Sequence, residues 1–73
     1  MMAAAAPKRP ELSERQTAVL QLASEGESRK AIARRLGVEL STVHEHFAQA
    51  HRKLGVRSTI HAVAKALRMG AIT

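Results

Sequence analysis

Cysteine is absent from the 73 residues, which excludes disulfides, thiolate metal sites and thiol redox chemistry together. Tryptophan and tyrosine are absent as well, leaving Phe47 as the single residue of the Phe, Trp and Tyr class. Binding of single-stranded nucleic acid draws on a set of stacking platforms, and one aromatic ring cannot supply it. No apolar run approaches the roughly 20 residues of a membrane span. Residues 1–6 lack a basic flank and fall short of the about 7–15 apolar residues of a signal-peptide core. No nucleophile, base and orienting group recur at a recognisable spacing, and a chain this short has little room for a substrate pocket. Catalysis and a bound cofactor are therefore not expected. The four histidines do not alter this: His44 and His46 sit two apart on a helix and point to different faces, while His44 and His51 share a face without a third ligand. No metal is expected.

What is present is positive charge, unevenly placed. Lys and Arg number 12 against 6 Asp and Glu, a formal net charge of +6. Residues 1–27 hold three bases and four acids, a net −1, whereas residues 28–73 hold nine bases against Glu39 and Glu45, a net +7. A basic excess confined to the later part of one small domain points to a polyanionic partner. Solubility alone is the plainer explanation of such a count, and only the placement of the bases separates the two.

Residues 1–11, with Pro7 and Pro10, read as a lead-in or linker from a larger parent protein, and residues 12–73 as one domain. Ser13 and Gln16 form a capping-box pair, with Leu12 placed as a staple before it, and Val19, Leu20, Leu22 and Ala23 follow at helical spacing; a first helix is expected over 13–25, ended by Gly26. Ser28 caps a second helix with the apolar stripe Ile32, Ala33 and Leu36, stopped by Gly37. After a three-residue corner, Ser41 is expected to cap a third helix, about 41–54, in which Val43, Phe47, Ala50 and Leu54 fall along one face. Ser58 opens a fourth, expected to turn Ile60, Val63, Ala64 and Leu67 inward before Gly70. The fold class is all-α: a tri-helical core plus a fourth helix.

A short helix, a tight corner containing glycine and a second helix polar on its outer face describe a helix-turn-helix. A helix about 10–12 Å across fits the roughly 12 Å major groove of B-DNA, and its first turns meet the base edges. Those positions are His44, Glu45 and Ala48, with Gln49 beside them. Four ordered blocks carry a closer likeness: 12–16 (LSERQ), 26–38 (GESRKAIARRLGV), 41–46 (STVHEH) and 52–58 (RKLGVRS). Together they resemble the LuxR (FixJ, GerE) type of DNA-binding domain from Leu12 to Thr73.

That resemblance implies a four-helix fold, transcription regulation in a bacterial cytoplasm close to the nucleoid, and double-stranded DNA bound by a homodimer joined through the fourth helix. It assigns base reading to His44, Glu45 and Ala48, and phosphate contact to Lys30, Thr42, His46, Lys53 and Arg57; Arg52, on the polar face of the third helix, joins the second group. Ala62, Ala66 and Met69, lying off the expected inward stripe, are the candidate contact between two copies, with plain surface positions as the alternative reading. The sequence departs from the family where Lys or Arg often stands at His44, where a polar or basic residue stands at Ala48, and where Glu stands at Gln16 and Ala31. Neutral His44 donates one hydrogen bond and accepts another but cannot copy a bidentate guanidinium contact to guanine, and Ala48 reaches only a thymine methyl. Glu45 suits acceptance from cytosine N4, repulsion of phosphates in wrong registers, or plain solvation. The alternative function is a helix-turn-helix that docks on protein, RNA polymerase or a sigma factor; exposed Leu, Met or aromatic anchors would mark that surface, and the outer face of the third helix is polar instead.

Overall fold

A computed structural model describes residues 11–73; of the lead-in expected over 1–11, all but Glu11 lies outside the described residues. Within that span the chain forms four helices, α1 (Glu14–Ser24), α2 (Arg29–Leu36), α3 (Leu40–Leu54) and α4 (Thr59–Met69), and no strand. The first starts as expected: Ser13 Oγ accepts from Gln16 N–H at 3.1 Å while Ser13 N–H donates to Gln16 Oε1 at 2.9 Å. Ser28 and Ser58 cap α2 and α4 in the same manner through the amides of Ala31 and His61. Gly37 and Gly55 close α2 and α3 at φ +69 and +70, a left-handed conformation in which a side chain is strained. The amide after each reaches back to the last turn, Val38 N–H to Ala33 O and Val56 N–H to His51 O.

The start of α3 differs from expectation. Glu39, not Ser41, is the N-cap: its backbone is extended, its carbonyl accepts from the amides of Thr42 and Val43, and its side chain makes no capping bond. Ser41 lies exposed in the first turn. The sequence offers Ser41 as a cap, but the helix begins one residue earlier, at half-buried Leu40.

The core is built where α1, α3 and α4 meet, with α2 packed on α3 and α1. Val19 and Leu20, Ile32, and Val43, Phe47, Ala50 and Leu54 are all closed to solvent, so the expected inward face of α3 is the observed one. Val56 and Ile72 join them from the segments after α3 and α4. The C-terminus is tied down by two bonds to one side chain, Gln21 Nε2 to Thr73 O and Thr73 N–H to Gln21 Oε1.

In α4 the observed register is rotated from the expected one. Ala62 and Ala66 are wholly buried, whereas Ile60 is 84% exposed and Leu67 46% exposed. Val63 and Ala64 lie between, half-buried. The proposed contact of Ala62, Ala66 and Met69 with a second copy is thereby corrected: the two alanines face the monomer's own core, and Met69 packs against it half-buried. The helix is apolar on more than one side, so periodicity alone leaves its rotation open. Small side chains let α4 approach α1 and α3 closely, and that packing selects the alanine face.

Candidate nucleic-acid interface

With Val43, Phe47, Ala50 and Leu54 turned inward, the helical period puts Glu45, Ala48 and Arg52 at the centre of the opposite face. His44 and His51 fall on one flank. Gln49, Thr42, Lys53 and His46 fall on the other. Of the expected base-reading residues, His44 and Glu45 are exposed and Ala48 and Gln49 half-exposed, so α3 brings all four to one outer surface.

Each flank is fastened to a different helix. Buried Gln16, 4% exposed, donates through Nε2 to Gln49 Oε1 at 3.0 Å, and Gln49 Nε2 donates to Glu45 Oε2 at 3.1 Å. Glu45 also lies 3.6 Å from the Arg52 guanidinium, an exposed pair of the kind that contributes little to stability. Gln49 is thus held by α1 at one end of its amide and steadies Glu45 with the other. Glu45, neutralised beside Arg52, is less repellent to phosphate than an isolated acid.

The His44 flank is fastened through Arg29, the first residue of α2. Its Nη1 donates to His44 Nδ1 at 2.8 Å, and its Nη2 donates to Thr59 Oγ1 at 2.9 Å. The guanidinium carbon stands 4.2 Å from the centroid of the Phe47 ring, a cation–π distance. One side chain therefore joins α2, α3 and α4. No local signal marks it, because its partners lie 15 and 30 residues away in sequence.

Thr59 extends the network to His51, with Oγ1 3.3 Å from His51 Nε2. Burial first, and the positive charge of Arg29 second, lower the His51 pKa from its ordinary 6.5. The sign follows. In the window from 6.5 down to the depressed value the unfolded chain takes up a proton that the folded chain refuses, so stability falls as pH falls through it. The melting temperature is expected to drop between about pH 8 and pH 5.5, and His51→Gln is expected to drop less. Thermal melts of both proteins across that range measure this; equal slopes would remove His51 from the cause.

Among the expected phosphate contacts, Lys30, Arg52, Lys53 and Arg57 are exposed, and Thr42 and His46 half-exposed. Lys53 Nζ donates to Glu11 O at 2.8 Å, at the edge of the described chain. The Nδ1 of His46 is buried without a partner among the described residues, which leaves Nε2 as the nitrogen available to an outside group. Thr42 lies on the same flank. Arg57 follows Val56 beyond the end of α3, and Lys30 lies in the first turn of α2, so these bases belong to three separate parts of the fold.

Residues 10–66 match the family model described as bacterial regulatory proteins, luxR family. The chain belongs to the LuxR family. Its four helices are those of a LuxR-type helix-turn-helix, a DNA-binding domain of transcription regulators. The chain is 36% identical over 64 residues to the spore germination protein GerE of Bacillus subtilis, covering 88% of this chain and 86% of that one. It is 43% identical over 58 residues to the transcriptional activator protein CarR of Pectobacterium carotovorum, and 38% over 63 residues to the uncharacterized response regulatory protein YgeK of Escherichia coli. It spans 24% and 43% of those two relatives' lengths. A solved structure of the transcription factor GerE superposes with a TM-score of 0.82 at 31% identity, covering 85% of this chain and 92% of that one.

Proposed function

We propose that the domain binds duplex DNA sequence-specifically by laying α3 in the major groove. His44, Glu45, Ala48 and Gln49 meet base edges there, while Lys30, Thr42, His46, Arg52, Lys53 and Arg57 meet phosphates on either side. The supporting observation is the division of α3 into a sealed apolar face and an opposite polar one that carries all four reading residues, with bases from α2, α3 and the Arg57 turn around it. This role involves no catalysis and no cofactor. It belongs in the cytoplasm, at the bacterial nucleoid, and a regulator acting there has RNA polymerase as its further expected partner. Chemical-shift mapping tests the docking: added duplex is expected to move the amides of residues 41–53 most, and His44 and Glu45 left undisturbed would overturn it.

The domain is proposed to occupy its operator as a homodimer, with Ile60 and Leu67 in place of the buried alanines as the contact. These two side chains lie seven residues apart, two turns along one face of α4, with half-buried Ala64 between them. A patch this small is below the about 1,200 Å² of a stable interface, so pairing is expected on DNA and not without it. Sedimentation on a two-half-site duplex is expected to give a 2:1 complex for the wild type and a 1:1 complex for Ile60→Glu. A wild-type complex that stays 1:1 at saturation rejects the dimer.

A further inference from the structure

The Arg29–His44 contact fixes more than a position. A guanidinium has N–H donors and no acceptor, so the nitrogen it faces at 2.8 Å, His44 Nδ1, is the unprotonated one. In the neutral ring the proton then resides on Nε2, which makes no hydrogen bond among the described residues. Arg29 is in turn held from three sides: by His44, by Thr59 Oγ1 at 2.9 Å, and by the face of buried Phe47. A side chain fixed in this way does not follow the imidazole if the ring takes up the other tautomer. That tautomer would set an Nδ1–H against a guanidinium N–H.

We infer that Arg29 is a specificity-determining positioning residue: it locks His44 as an Nε2–H donor, so that α3 selects acceptor base edges and rejects cytosine. In the major groove guanine offers O6 and N7, adenine N7 and thymine O4 as acceptors, whereas cytosine offers the N4 amino group, a donor. A free neutral histidine reads both kinds, because the tautomer with an unprotonated Nε2 accepts from cytosine N4. With the lock in place that second mode is lost, and the strand position opposite His44 disfavours cytosine. The inference rests on the proposed docking of α3 in the groove, deepening it from which residue reads to what that residue reads.

Two measurements separate the lock from the docking. Long-range nitrogen–proton NMR on the free protein, at about pH 8 where histidine is neutral, is expected to show His44 with a bare Nδ1 and a protonated Nε2. In Arg29→Ala both ring nitrogens are expected to shift toward the averaged values of a tautomer mixture. Selection of bound sites from a random duplex pool is then expected to show cytosine depleted about fivefold at one position by the wild type, a ratio typical of one hydrogen bond, and near unity for Arg29→Ala. Arg29→Lys, which keeps a donor for Nδ1, is expected to recover both the spectrum and part of the depletion. A protonated Nδ1 in the wild type overturns the lock whether or not Arg29→Ala folds. So does an unchanged cytosine ratio in a folded Arg29→Ala. A locked tautomer whose ring nitrogens do not shift when duplex is added overturns the docking instead, and the selectivity with it.

Discussion

Raising monovalent salt from about 50 mM to about 200 mM is expected to weaken binding to a random duplex by about 10²–10³. Each phosphate neutralised releases condensed counterions and contributes about 0.9 to the slope of log affinity against log salt, so four to five contacts give this range. Lys30, Arg52, Lys53 and Arg57 are exposed and supply the fixed charges for it, with Thr42 and His46 able to add neutral hydrogen bonds that carry no such slope. The residues differ in their prior engagements. Arg52 must share its charge with Glu45 at 3.6 Å, and Lys53 must leave the Glu11 carbonyl, while Arg57 has no recorded partner among the described residues. Arg57→Ala is accordingly expected to lower the salt slope by nearly a full contact, and Arg52→Ala by less. Both are expected to weaken all sequences alike, because phosphates carry no base identity. Fluorescence anisotropy over a salt series measures these quantities. A flat response would remove the electrostatic basis of the reading, and a loss confined to one sequence would move Arg57 from the backbone to the base edges.

The elements were legible in the sequence because their signals are local. The Ser13–Gln16 box, the Ser28 and Ser58 caps and the glycines that end α2, α3 and α4 each act within one turn of the chain, and each was found in place. The inward face of α3 was legible too, since Val43, Phe47, Ala50 and Leu54 are the only long apolar stripe that helix has. What stayed hidden depends on contacts distant in sequence. The rotation of α4 is decided by how closely it approaches α1 and α3, and a helix with apolar residues on several sides leaves that undetermined. Val56 and Ile72 lie outside helices and belong to no stripe, yet both are buried. Arg29 meets His44 and Thr59 across 15 and 30 residues, and Gln16 meets Gln49 across 33, so no spacing rule connects them. The candidate reading residues were therefore visible as a face, while the bonds that orient His44 and Gln49 on it were not.

Those bonds and the core share one side chain. Phe47→Ala is expected to cost about 3–5 kcal/mol, the usual penalty for emptying a buried aromatic site. At about 0.05–0.15 kcal/mol per residue a domain of this size has roughly 4–11 kcal/mol in total, so the substitution removes a large part of it. Phe47 is 1% exposed and lies on the side of α3 opposite Glu45, where α1, α2 and α4 close around the helix. Its ring is also the support beneath the Arg29 guanidinium and stands 6.3 Å from the His51 ring, centroid to centroid. The cavity would loosen both the packing that holds α3 and the residue that orients His44. The urea midpoint, followed by far-UV circular dichroism, is expected to fall steeply for Phe47→Ala and to stay near the wild-type value for Arg57→Ala, whose side chain is exposed. Binding is expected to be lost in the first variant through unfolding and weakened in the second without it. A Phe47→Ala protein that kept the wild-type midpoint but no longer bound duplex would put the ring in the interface, and with it the wrong face of α3 in the groove.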